Sequence, residues 1–223
     1  MTANDPAAYQ SISNAGQRFL KIYERCIGLN ELSIEIREKA EKNIFEIPSN
    51  AILSDLTRSS IVLAVAGFDD YFTSRFTENI VPYIRRRGVT KGLEDMLARS
   101  GFSYAEAIDM ATMKRPMSRL KSIIQDGLEN YVTQKIETID ALFLSIGVEN
   151  LCQRVQEHAG RKTMIRRVEI LIEKRHEIVH KGHLDKRGRI KNISARDTRG
   201  RIDDLYLFIW NTDVLLNKIH GIK

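Results

Sequence analysis

Residues 161–183 read RKTMIRRVEILIEKRHEIVHKGH. Apolar residues recur there at spacings of three and four, which predicts an amphipathic helix with one apolar stripe. The stripe consists of Val168, Leu171, Ile172, Ile178 and Val179. Lys181 in the last turn and Gly182 directly after it are typical of a helix C-terminus, so we expect the helix to end there.

Arg175 interrupts this apolar stripe, because it lies three positions after Ile172 and three before Ile178. A charged side chain on such a face must find a partner, since uncompensated burial costs roughly several kcal/mol. His180 follows five residues later, at the end of the helix. An inward-facing arginine and a histidine at the helix end form a candidate site for holding and cleaving a phosphodiester.

The composition is that of a globular protein. A chain of 223 residues can bury a sizeable core in one or at most two domains. Only 4 prolines and 13 glycines occur, which favours long helices over many turns. No apolar run approaches the roughly 18 residues of a membrane span, and residues 1–16 carry no export signal. We therefore expect a cytoplasmic protein that does not bind a membrane.

The net charge of +6 is concentrated in residues 181–201, which contain eight basic and two acidic side chains. One interpretation is a solvated basic loop. Because the segment follows His180 directly, the other is a binding surface for a polyanion. The substrate-binding candidates are Lys181, Lys186, Arg187, Arg189 and Lys191.

Periodicity along the rest of the chain predicts an all-α protein. Helices are expected at 14–29, 32–44 with an end near Pro48, 54–82, 90–99, 104–113, 116–131, 136–146, 148–158 and 202–219. Residues 61–68, IVLAVAGF, are apolar on every side, which predicts a central buried helix that Pro82 kinks or ends. Gly188 is placed to centre a small hairpin inside the basic segment.

Residues 176–180, HEIVH, also match the H-E-x-x-H motif of zinc peptidases. There His176 and His180 would bind zinc and Glu177 would activate a metal-bound water. His183 and Lys186 stand where one zincin class has glycine and a third histidine, and no glutamate follows Glu177. We therefore keep the zinc peptidase as the weakest alternative and expect neither a metal nor another cofactor.

Two segments resemble the HEPN superfamily, most closely its RiboL-PSP type. The first is RSSIVLAVAGFDDYF (58–72), an apolar helix that ends in acidic and then aromatic residues. The second is EKRHEIVHKG (173–182), which is similar to the R-x4-H helix end of the family. His176 is a departure, because the family more often has Asn or Asp there.

The resemblance implies an all-helical HEPN-type bundle. A single domain would span residues 1–223, with its core at 54–87 and 161–220, N-terminal helices at 14–44 and a helical insertion at 90–158. Such domains form homodimers in which two R-x4-H motifs face one cleft. Many are metal-independent endoribonucleases that act as toxins or antiphage defence effectors, sometimes restrained by an antitoxin or sensor protein.

The predicted catalytic residues suit this chemistry. RNA supplies its own nucleophile, the 2′-hydroxyl, so His180 would act as base or acid and Arg175 would hold the phosphate. Asp69 falls where the family has an acidic residue and is expected to orient Arg175 or a histidine, with Asp70 as its substitute. His176 completes the predicted set.

Simpler interpretations stay open beside this one. Arg175 would then be only a buried ion-pair partner of Asp69, and His180 only a cation at the helix C-terminus. His183 is expected to belong to a loop rather than to the site. The alternative function is a non-catalytic HEPN module that binds RNA or a protein.

Overall fold

The computed structural model describes residues 12–42, 50–128 and 133–220. Within these ranges the structure is nearly all helical and forms one bundle, which confirms the predicted all-α class. The helices are α1 Asn14–Glu41, α2 Asn50–Arg87, α3 Lys91–Arg99, α4 Tyr104–Thr112, α5 Pro116–Leu128, α6 Ile136–Leu144, α7 Leu151–His158, α8 Met164–Lys181 and α9 Ala195–His220. None of these described helices combines the length and the apolar character needed to cross a bilayer.

α1 is a single helix where two were predicted, at 14–29 and 32–44. Its continuity is supported at Asn30, a buried side chain that donates to the carbonyl of Cys26 at 3.2 Å and to Ser60 of α2 at 2.5 Å. Tertiary packing therefore stabilises one continuous helix across residues 29–32, where the sequence predicted a break. The predicted end near Pro48 lies outside the described residues, as does the predicted end of α5 at Tyr131.

α2 lies at the centre of the bundle, as its all-apolar stretch predicted. Its aromatic side chains pack edge to face, with ring centroids 4.8 Å apart for Phe68 and Phe72 and 5.7 Å apart for Phe76 and Phe143 of α6. Pro82 does not end α2, which continues to Arg87. Both neighbours of the proline are buried, so packing outweighs its unfavourable effect on the helix.

A buried polar cluster joins α1, α2 and α9. The carboxylate of Asp213 accepts hydrogen bonds from the Ser13 amide at 2.9 Å and the Tyr71 hydroxyl at 2.7 Å, and it pairs with Arg75 at 3.0 Å. Burial and this carboxylate raise the pKa of Tyr71 well above its ordinary value. A Cβ at Gly16 would lie 2.5 Å from Asp213, so the close approach of α1 requires glycine.

α9 begins at Ala195, seven residues before the predicted Ile202. Ser194 starts it by accepting a hydrogen bond from the Asp197 amide at 3.1 Å, and Asp197 pairs with Arg201 at 3.0 Å. The second half of the basic segment is therefore helical. Lys174 of α8 reaches the same aspartate at 3.3 Å and so links α8 to α9.

Candidate functional site

The candidate site lies at the C-terminal end of α8. Gly182 adopts a left-handed conformation (φ 58°) and its amide donates to the carbonyl of Glu177, which ends the helix as the sequence predicted. The buried side of α8 is formed by Met164, Val168 and Leu171. Val179, assigned to the apolar stripe, is 49% exposed, so the buried stripe stops before the helix does.

Arg175 is half-buried at the point where that stripe ends. Its Nε atom is buried and has no hydrogen-bond partner, and no ion pair involving Arg175 occurs among the described residues. Leaving a buried donor of a charged side chain without a partner is costly. Within the described ranges, no carboxylate therefore neutralises the guanidinium.

Asp69 does not contact Arg175 in the structure, although the sequence suggested that it would. Asp69 accepts hydrogen bonds from the Thr133 hydroxyl and, at 3.2 Å, from the Gln134 amide, both in the segment that leads into α6. Its substitute Asp70 pairs with Arg18 of α1 at 3.2 Å. The two carboxylates are thus occupied by neighbours of α2 other than α8. Neither reaches Arg175 or a histidine in the described parts of the chain.

His176 and His180 lie one helical turn apart on the exposed side of α8. Their ring centroids are 4.4 Å apart and their planes are tilted by 41°. His176 lines a groove of about 580 Å³ together with Lys181 and with Gln134, the partner of Asp69. Asp69 is therefore linked to this groove through its hydrogen bond with Gln134.

The segment after α8 folds into a short hairpin, here called the basic hairpin (residues 183–191). Leu184 and Ile190 form an isolated antiparallel bridge, and Gly188 turns the chain with φ 74°, which confirms the hairpin predicted there. Asp185 accepts hydrogen bonds from the backbone amides of Arg189 at 3.0 Å and Arg187 at 2.8 Å. These bonds hold the pKa of Asp185 below its ordinary value, so its carboxylate stabilises the turn.

Much of the basic segment is neutralised by acidic residues, two of them within the segment and three elsewhere in the fold. Each of the following pairs is 3.3 Å or closer: Arg189–Asp185, Lys191–Glu177, Arg196–Glu38, Arg199–Glu31 and Arg201–Asp197. The hydrogen bond from Lys191 also lowers the pKa of Glu177. Among the described residues, Lys181, Lys186 and Arg187 have no ion-pair partner. The unneutralised charge therefore lies at the helix end and the hairpin tip.

Arg58 and His183 form a contact that sequence reasoning missed. His183 lies in the turn after α8, as expected, but it is only 4% exposed, and its Nδ1 accepts a hydrogen bond from Arg58 Nε at 3.3 Å. Burial and the neighbouring arginine lower the pKa of His183. The residues are 125 positions apart, and no spacing pattern connects them.

In the described ranges, no group of three metal-ligating side chains comes together. His176 and His180 thus lack a third protein ligand there, and Glu177 is engaged by Lys191. Comparison with known proteins finds no matching family model, curated protein or solved structure. The resemblance to the HEPN superfamily therefore rests on the two sequence segments alone and stays a prediction.

Proposed function

We propose that this protein is a metal-independent endoribonuclease of the HEPN type, acting in the cytoplasm as a toxin or antiphage defence effector. One observation carries the proposal. Arg175, without a described partner, precedes His180 on a helix end that continues directly into a hairpin whose tip bears the unpaired Lys186 and Arg187. A phosphate-binding arginine, a titratable histidine and a cationic surface are thus consecutive in one unit.

The chemistry is transesterification within the RNA. A histidine removes the proton from the 2′-hydroxyl, and the 2′-oxygen forms a bond to phosphorus as the bond to the 5′-oxygen breaks. The departing 5′-oxygen takes a proton from a second acid, which leaves a 2′,3′-cyclic phosphate and a 5′-hydroxyl. Arg175 donates to the phosphate oxygens as their negative charge increases in the transition state.

A homodimer supplies the second acid. Three apolar side chains around the helix end are exposed, Val179 by 49%, Leu184 by 42% and Ile190 by 54%. Leu184 and Ile190 are opposite each other in the bridge of the basic hairpin, so they present one surface. A second copy packed on this surface would bury it and bring a second Arg175–His180 pair to the same phosphate.

The deciding experiment measures cleavage of a labelled RNA by the wild type and by His180→Ala, each with and without excess EDTA. We expect cleavage by the wild type in both conditions and none by the variant. RNA binding without cleavage would favour the non-catalytic HEPN module. Activity that EDTA removes and zinc restores would favour the peptidase-type metal site and overturn the proposal. Co-purification from the native host would identify an antitoxin or sensor protein.

A further inference from the structure

Arg58 of α2 holds the basic hairpin at two points. Its side chain is 7% exposed, and the guanidinium donates from Nε to His183 Nδ1 at 3.3 Å and from Nη2 to the carbonyl of Lys191 at 2.8 Å. The remaining nitrogen, Nη1, donates to the carboxylate of Asp55 at 2.8 Å. His183 and Lys191 are the two ends of the hairpin, and the Lys191 amide donates to the His183 carbonyl at 2.9 Å. One buried arginine thus fixes both strands of the hairpin to the central helix.

We propose that Arg58 is a positioning residue that fixes the basic hairpin beside His180 only while His183 is neutral. A neutral imidazole can accept a hydrogen bond at Nδ1, whereas an imidazolium has donors on both nitrogens. Protonation of His183 therefore removes the acceptor and places a cation against a guanidinium in a buried contact. Both changes oppose the anchored position, so acidification releases the hairpin from α2.

The charges around His183 agree with this direction. The charged groups that face it or its arginine partner are Asp55 and Arg58 from α2, Lys174 and Glu177 from α8, and Lys191 from the hairpin itself. Burial and the three cations lower the pKa of His183 by more than Glu177 raises it, and the carboxylate of Glu177 is already paired with Lys191. Because the pKa of His183 is lowered in the fold, its imidazole is protonated more readily in the unfolded chain than in the native protein. Anchoring is therefore complete above about pH 6.5, the ordinary value for histidine, and is lost as the pH falls further.

The chain offers a matched variant that does not titrate. His183 has φ 54°, a left-handed conformation that asparagine tolerates better than most residues. The side-chain oxygen of asparagine can take the place of Nδ1 as the acceptor for Arg58. His183→Asn should therefore keep the anchor and remove its sensitivity to pH. Arg58→Lys keeps the charge and removes the planar fork that serves the two hairpin acceptors and Asp55 together.

The test is hydrogen exchange of residues 183–193 in the full chain without RNA, at about pH 7.5 and about pH 5.5. Wild type and His183→Asn are compared at each pH, so that the intrinsic exchange rate cancels. We expect equal protection at the higher pH. At the lower pH, wild type should exchange about tenfold faster than the variant. This pH is about one unit below the ordinary pKa of histidine, and one unit changes the ratio of protonated to neutral imidazole tenfold. Arg58→Lys should exchange fast at both.

His158→Asn serves as the control, because this exposed histidine bonds to Asn211 of α9, away from the hairpin. It should behave as wild type does. The inference is overturned if wild type and His183→Asn respond equally to pH, or if Arg58→Lys keeps full protection. If His183→Asn is unfolded by circular dichroism, the comparison of wild type with Arg58→Lys at the higher pH decides whether the anchor exists.

A second arm rests on the proposed function and uses a single-stranded oligonucleotide of RNA. Other effects of pH are common to both proteins, so the informative quantity is the ratio of the two dissociation constants. Wild type should lose affinity relative to His183→Asn at the lower pH, since its cationic hairpin no longer lies beside His180. If exchange follows the expectation and the RNA ratio does not change, the anchor stands and the assignment of the hairpin to RNA binding fails.

Discussion

The imidazole rings of His176 and His180 lie 4.4 Å apart, centroid to centroid, on the exposed side of α8. His180 is the histidine of the predicted R-x4-H motif, and His176 stands where the resemblance to the HEPN superfamily would place an amide or a carboxylate. The two rings share one helix face, so a substrate held against one also meets the other. Substitutions can separate their roles.

His180→Ala should abolish RNA cleavage, whereas His176→Asn should retain most of it. Removing a general base or acid lowers the rate by about 10²–10⁴-fold, and asparagine preserves a polar group of the kind the family uses at the second position. Single-turnover cleavage of a labelled RNA measures both. Equal loss in the two variants would show that the rings act as one unit.

Cleavage should persist in excess chelator, and Glu177→Gln should have a mild effect. Glu177 is paired with Lys191 at 2.7 Å, and such a partly exposed ion pair contributes about 0–1 kcal/mol. In a zinc peptidase the same substitution would abolish turnover. Rates in EDTA and after addition of zinc distinguish the two classes of enzyme.

Arg175→Ala should remove cleavage while largely preserving RNA binding and the melting temperature. The Nε of Arg175 has no partner in the described chain, so the substitution breaks no ion pair. Arg75→Ala is the contrasting variant, because that side chain is 3% exposed and pairs with the buried Asp213. Its loss should destabilise the fold by about 3–5 kcal/mol. Thermal unfolding of both variants, beside RNA cleavage, checks this expectation.

Light scattering at micromolar concentration should give about twice the mass of one chain. Val179→Glu should shift the protein toward monomer and lower cleavage, because it places a charge on the apolar surface that we expect the second copy to cover. Ile108→Glu is the matched control, since Ile108 is 69% exposed on α4, away from that surface. A monomeric wild type would leave the second Arg175–His180 pair without a source.

Replacing Lys186 and Arg187 with glutamine should weaken RNA binding and flatten its dependence on salt. Each phosphate contact to a single strand contributes roughly 0.7 to the slope, so the pair should reduce it by about 1.4. The control replaces Arg196 and Arg199, which already pair with Glu38 and Glu31. We expect a smaller change there and an unchanged pattern of cut sites in both variants. An unaltered slope after the first replacement would make the hairpin tip only a solvated loop.

Local features were predictable wherever a few neighbouring residues decide them. The end of α8 follows from Gly182 and the start of α4 from Ser103, whose side chain and Glu106 form a reciprocal cap. The central position of α2 follows from its all-apolar stretch, and the turn of the basic hairpin from Gly188. In each case backbone preference and hydrophobic periodicity act within one or two turns of chain.

The tertiary structure alone decided which side chains meet. Sequence pattern placed Arg175 on an inward face, yet only packing leaves it without a described carboxylate and gives Asp69 to Thr133 and Gln134. Packing also joins Arg58 to His183, a residue that the sequence assigned to a loop. A pattern along the chain fixes the face of a helix, but the partner opposite that face depends on how distant helices fill space together.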